Sequence, residues 1–206
     1  MPWASDAPAI AHAWYQGQEN GNALADVLFG RVNPSAASTR LPTAKGVLVG
    51  YKWFDTHDIE PMWPFGYGLS YTSFAVSNVD AVVDDLPHQH VGHNIAAALI
   101  RATVSNTGAV EGSETLQVYL SSPSAVEAHS HCPTRALVAF AKVRLAPRES
   151  KTVEVTIDRA SLRTFDTTAI NHQGGKGAWT IPPGVYTCHV GTSSRHIVAK
   201  VPFTIG

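Results

Sequence analysis

From Tyr71 onward the chain alternates apolar and polar residues with a period of two and interrupts that alternation at short intervals with turn chemistry. Ala98, Ile100, Ala102 and Val104 fall on one side, and Leu99, Arg101, Thr103 and Ser105 on the other. A strand points successive side chains to opposite faces, so this spacing describes strands with one face buried and one wet. Asn106-Thr107-Gly108 supplies the following turn, and Leu116, Val118 and Leu120 form the next inward row. Further strands are expected from Ala136 to Leu145, from Lys151 to Ile157 with Val153, Val155 and Ile157 inward, from Val185 to Val190, and from Ile197 to Ile205. Their breaks are Ala146-Pro147-Arg148-Glu149-Ser150, Pro182-Pro183-Gly184 and Gly191-Thr192-Ser193-Ser194. Proline fixes φ and glycine opens left-handed backbone, which is what such turns require. Many short antiparallel strands with one apolar face each pack as a two-sheet β-sandwich.

The N-terminal third reads differently. After a glycine-rich turn, Leu24, Val27 and Leu28 share one face at helical spacing, with Asn20 or Asn22 as N-cap and Gly30 as the C-terminal stop. An extended start, a glycine turn and a helix in that order are the signature of an α/β unit. Residues 60–72, Glu-Pro-Met-Trp-Pro-Phe-Gly-Tyr-Gly-Leu-Ser-Tyr-Thr, pack prolines, glycines and aromatics into a shaped connector that is neither helix nor regular strand. The expected organisation is therefore mainly β: residues 1–70 a partial α/β segment with its connector, and residues 71–206 a β-sandwich domain.

Composition narrows the function classes. The chain has 206 residues, 44% of them hydrophobic, which suits one complete domain and a piece of another. A formal charge of -1 with scattered Lys and Arg argues against nucleic-acid and anionic-membrane partners. Apolar runs such as Ile95 to Ile100 are too short to span a bilayer, and the start lacks the basic and apolar regions of a secretory signal. A parent protein's location, secreted or cytoplasmic, is thereby left open. Cys132 and Cys188 read as two free thiols, with Cys188 buried in a strand. His88-Gln89-His90-Val91-Gly92-His93 has a spacing that suits a metal, yet no cysteine or carboxylate cluster joins it, so the expectation is loop histidines and no metal or other cofactor.

Several longer motifs carry a resemblance. Residues 13–30, Ala-Trp-Tyr-Gln-Gly-Gln-Glu-Asn-Gly-Asn-Ala-Leu-Ala-Asp-Val-Leu-Phe-Gly, then Val32-Asn33-Pro34-Ser35, Val49-Gly50-Tyr51-Lys52-Trp53-Phe54-Asp55 and the connector resemble the C-terminal part of glycoside hydrolase family 3 β-glucosidases. Gly112-Ser113-Glu114-Thr115-Leu116-Gln117-Val118-Tyr119, Leu145-Ala146-Pro147, Gly184-Val185-Tyr186 and Val190-Gly191-Thr192-Ser193-Ser194 resemble the fibronectin type III-like domain that closes many of these enzymes. The resemblance implies the end of an α/β sandwich domain followed by a fibronectin type III-like β-sandwich. It also implies packing on a catalytic barrel and the rest of the α/β sandwich, and contact with a β-glucoside or oligosaccharide only in the context of a full enzyme. The segment between Pro42 and Val49 is shorter than the family pattern.

Retaining glycoside hydrolysis uses two carboxyl groups about 5 Å apart, one nucleophile and one acid/base. The Ser-Asp-Trp setting of the family's nucleophile and the Glu-Gly-x-Asp-Arg motif near its acid/base region are both absent from this chain, so no catalytic residue is assigned. Three residues are candidates for substrate contact: Glu19, Trp53 and Trp63. Glu19 stands just before the helix, where the dipole favours its charged form; that suits capping or support of a turn more than proton donation. The tryptophans offer rings for sugar stacking, against core or interdomain packing. Asp26, Asp55, Asp58 and Glu60 read as solvated or ion-paired surface groups. The functional expectation is a C-terminal fragment of a β-glucosidase, inactive alone; the alternative is a free-standing non-catalytic β-sandwich that binds carbohydrate or a protein partner. The sandwich strands show mostly Thr, Glu, Lys and Arg outside, which favours the fragment.

Overall fold

The computed structural model describes residues 2–11, 20–33, 48–83, 90–91, 94–123, 133–170 and 176–205. Within them the fold is mainly β: β1 (Phe74–Val82), β2 (His90–Val91), β3 (Asn94–Asn106), β4 (Gly112–Ser121), β5 (Ala136–Leu145), β6 (Ser150–Asp158), β7 (Thr164–Ile170), β8 (Lys176–Thr180), β9 (Gly184–Gly191) and β10 (Ile197–Ile205). One sheet centres on β3, with β1 along one edge, β6 along the other and the short β2 folded back on its start. The facing sheet runs β10-β9-β4-β5, all neighbours antiparallel. β7 and β8 form a separate two-stranded hairpin.

The inward rows are those the alternation marks. Ala98, Ile100, Ala102 and Val104 of β3 are fully buried, facing Leu116 and Val118 of β4 and Cys188 and Val190 of β9. At roughly 25 cal/mol per Å² of apolar area removed from water, this double layer is the main stabilising term of the molecule. Tyr186 closes its lower end: the ring stacks on Phe203 at 5.7 Å, and its hydroxyl donates 2.8 Å back to the Pro182 carbonyl, so the one polar atom of a buried aromatic is satisfied. Asn106 does the same at the β3 turn. Its amide donates to the carbonyls of Val110 and Leu145, and its side-chain oxygen accepts from Gly108 N–H and the Thr72 hydroxyl.

β1, the two-residue β2 and the β7–β8 hairpin have no counterpart in the strands read from the sequence, which placed His90–Val91 in a loop. β1 breaks register between Ser77 and Asp80, where Asn78 takes φ 50°, and that shift scrambles the two-residue period. The β7–β8 hairpin carries an edge-to-face pair, Phe165 and Trp179, 5.4 Å apart and 50% and 66% exposed. With Phe140 of β5 also 66% exposed, the outer surface is less uniformly polar than the sequence led us to expect.

Ahead of the sandwich, α1 (Asn20–Leu28) and α2 (Tyr51–Thr56) are short, and a residue with left-handed backbone follows each by two positions. Gly30 takes φ 72° and donates to Val27 O, as the sequence implies, whereas Asn20 and Asn22, the two expected N-caps, stand as the first and third residues of the helix. α2 ends on a non-glycine, Asp58 at φ 51°, with Asp58 N–H on Asp55 O and Ile59 N–H on Phe54 O, the paired bonds of a Schellman turn. α1 is tied to the connector by the Tyr71 hydroxyl on Val27 O, while Leu28 and Phe29 stay 60% and 80% exposed.

Candidate functional site

The alternation of β4 that sends Leu116, Val118 and Leu120 into the core sends Gln117 and Tyr119 to the outer face, beside His189 of β9. On an ordinary sandwich these would be wet. Here they are 3%, 1% and 9% exposed, because residues 48–71 lie across that face as a third layer. Tyr51 of α2 sets its edge against Tyr119 at 5.5 Å and tilts on Phe65 at 5.2 Å, and its hydroxyl accepts the Leu137 N–H at 2.6 Å. Phe65 O in turn accepts Ser194 N–H. Gly66 crosses directly over Gln117 at φ 84°; a Cβ there would collide with the amide of Gln117. That amide is itself fixed, donating 2.7 Å to Thr192 O and accepting from the Tyr119 hydroxyl.

Charge completes the contact. Asp55, its side chain only 3% exposed, lies between two guanidinium groups, Arg135 Nη2 at 2.9 Å from Oδ2 and Arg195 Nε at 2.9 Å from Oδ1. The first is a hydrogen bond; the second is an ion pair whose angle falls short of one. Arg195 also donates to Ile59 O and reaches the exposed Glu60 at 3.9 Å. Asp55 is therefore ion-paired but buried, not at the surface. Both oxygens are engaged and out of solvent, so the group serves as a tether and is poorly placed as a nucleophile.

The same burial sets the titration of the neighbours. Desolvation pushes the Tyr51 and Tyr119 phenols up, with the Asp55 carboxylate adding to both shifts. It pushes the His189 imidazole down to about 4, and Arg135 and Lys200 add repulsion. Because the Ser121 hydroxyl donates to Thr134 O, His189 Nε2 is the donor to Ser121 Oγ at 2.9 Å, and Nδ1 is buried with no hydrogen-bond partner among the described residues.

Of the three residues singled out for substrate contact, Trp53 lies on α2 with His57 stacked on its ring at 3.8 Å, and Trp63 lies half-buried in the connector. Glu19, Cys132, His88, Gln89, Gly92, His93 and residues 43–47 lie outside the described residues, whereas His90 and Val91, expected in a loop, form the short strand β2 against β3. Among the described residues no three His, Cys, Asp or Glu side chains gather as a metal site, and no helix is long and apolar enough to cross a membrane. Sequence reasoning passed over Gln117, Tyr119, His189 and the Asp55 pair as site-forming residues. The signal for them lay in their positions on an outer face, which became a buried one only when the connector was laid over it.

Comparison with known proteins settles where such a junction belongs. The family profile described as Glycosyl hydrolase family 3 C-terminal domain matches residues 1–71, and the profile described as Fibronectin type III-like domain matches residues 114–194. The chain belongs to glycoside hydrolase family 3. It corresponds to a C-terminal part of that family's β-glucosidases. A probable β-glucosidase of Emericella nidulans is 34% identical over 100% of this chain and 25% of its own length. Among solved structures, a β-glucosidase from Streptomyces venezuelae, in complex with D-glucose, superposes with a TM-score of 0.82 at 30% identity, covering 100% of this chain and 27% of that one. The family 3 β-glucosidase of Bifidobacterium adolescentis gives 0.79 at 32% identity over 99% and 31%. The chain thus spans about a quarter of the length of the curated relatives it matches.

Proposed function

We propose that the chain is the closing, non-catalytic part of a retaining β-glucosidase that removes terminal β-linked glucose, and that it serves the parent by packing on its barrel and α/β sandwich domains. The observation that carries this reading is coverage: the resemblance to β-glucosidases runs through the whole chain yet accounts for a quarter of theirs. The exposed Leu28 at the end of α1 and Phe29 just after it, with Trp3 at 53% and Met62 at 57%, supply apolar surface of the kind such domains cover. A covalent route needs a nucleophile, and the family's nucleophile motif is absent from this sequence. Purified chain should therefore release no nitrophenol from aryl β-glucosides above the buffer rate. Turnover that survives removal of contaminating enzymes and is lost in Glu19→Gln would overturn the proposal.

A second reading, a free-standing β-sandwich that binds carbohydrate or a protein partner, draws support from the exposed Phe165–Trp179 pair. The pair also has a structural role, since an isolated hairpin is marginal without cross-strand aromatic contact. Phe165→Ala and Trp179→Ala separate the two: loss of hairpin protection in hydrogen exchange fits the structural role, and loss of a measured glycan affinity with the hairpin intact fits the second reading.

A further inference from the structure

Between the connector and the sandwich lies a cleft of about 310 Å³, lined by Gly66–Ser70 on one wall and by Ser113, Glu114, Thr192, Ser193 and His196 on the other. Both walls belong to this chain. The connector turn is held over it by Ser194 N–H on Phe65 O and by Gly66 packed on Gln117, so the opening is a fixed feature of the junction. Glu114 enters the cleft from the start of β4. One carboxylate oxygen takes the Thr115 N–H at 2.7 Å, which leaves the other uncommitted among the described contacts. On the same wall, the His196 ring is oriented by a 2.8 Å bond between Nδ1 and the Thr192 hydroxyl. No ion pair joins Glu114 and His196 among the described residues, and both line the cleft. Ser193 Oγ accepts the N–H groups of Arg195 and His196 and keeps its own proton to donate. Tyr67, 41% exposed, stands at the rim.

We propose that this cleft is a binding site for a single pyranose, gripped through neighbouring hydroxyls by Glu114 and His196 and covered on one face by Tyr67. The volume is at the low end for small-ligand sites, room for one ring and not a chain. The lining sets one carboxylate, one imidazole and the hydroxyl-bearing Tyr67, Ser70, Ser113, Thr192 and Ser193 beside Leu69 and two glycines, a surface that both gives and takes hydrogen bonds and has an apolar part. That suits a neutral polyhydroxy ligand better than an ion. Burial raises the affinity of Glu114 for a proton, with His196 acting the other way. A hydroxyl pair donated to the carboxylate would relieve the same desolvation.

The test is titration of the isotope-labelled chain with D-glucose, methyl β-D-glucoside, glycerol and ethylammonium, followed by amide chemical shifts. Glucose and its methyl glycoside should give saturable shifts confined to Gly66–Ser70, Ser113–Thr115 and Thr192–His196. Glu114→Gln, which keeps an acceptor for Thr115 N–H, should weaken binding about tenfold, the loss expected for a hydrogen bond to a charged group. Tyr67→Ala, at an exposed rim position, should weaken it without touching the fold. Shifts that stay linear or spread evenly to the highest soluble sugar concentration overturn the proposal, as do glycerol binding as tight as glucose and ethylammonium binding tighter. The site is read on this chain alone, so its failure would leave the β-glucosidase assignment untouched.

Discussion

A carboxylate held by two arginines is worth most when it is least accessible, and Asp55 meets that condition. Replacing it by Asn leaves Arg135 and Arg195, themselves largely covered with side chains 18% and 26% exposed, without their counter-charge. Breaking such a pair from one side costs about 3 kcal/mol, so urea unfolding of Asp55→Asn should show a stability loss of that order. A loss within experimental error would mean that the connector does not depend on the tether. His189 makes a second prediction. Its folded pKa of about 4 lies below the ordinary 6.5, so the unfolded chain takes up the proton first as pH falls. The neutral ring therefore contributes its full stabilisation above about pH 6.5 and loses it progressively toward pH 4, by on the order of 2–3 kcal/mol. His189→Gln, which keeps a donor for Ser121, should lose less stability than the parent between pH 7 and pH 4.5. Equal losses would assign the acid sensitivity to the carboxylates instead.

At the scale of elements, β3, β4, β5, β6, β9 and β10 were legible because each keeps alternation over a long enough run to show, although β3, β5 and β10 each carry a register shift against a neighbour. Ala98 to Val104 and Leu116 to Leu120 needed no tertiary information to be placed inward. β1 was not legible, since the irregularity at Asn78 inverts its phase midway. The β7–β8 hairpin was missed because its large residues sit outside. The outer face of β4 is the instructive failure: Gln117 looks solvent-facing by pattern, and its burial is decided by a connector more than fifty residues upstream. α1 was legible as a helix with a glycine stop, and the exposed Leu28 at its end and Phe29 just after it follow from its shortness. Nine residues of helix gain little from their own hydrogen bonds and here cover few apolar neighbours. Amide exchange should therefore be much faster across residues 20–30 than across Leu116–Leu120. Equal, strong protection in a monomer would show that α1 has a core of its own.

Over the whole molecule the sandwich and connector behave as three layers, not two. We expect residues 71–206 to fold alone as a cooperative β-rich unit, since both sheets and the core between them are complete within it. Residues 48–206 should unfold at a higher urea concentration, because the added layer covers Tyr119, Gln117 and His189 and brings Asp55 to its arginines. Identical midpoints would mean that the layer merely rests on the sheet. The order in which these parts become available has its own consequence. Ile59 and Arg195, which hold the layer from opposite sides of the junction, stand 136 residues apart. At synthesis rates of about 5–20 residues per second, Tyr51 and Phe65 emerge from the ribosome on the order of ten seconds before the last strands that give them a surface to lie on. During that interval two aromatic rings meant for an interior belong to a nascent chain with nowhere to put them, and protection at that stage of birth becomes part of what this fold demands of its cell.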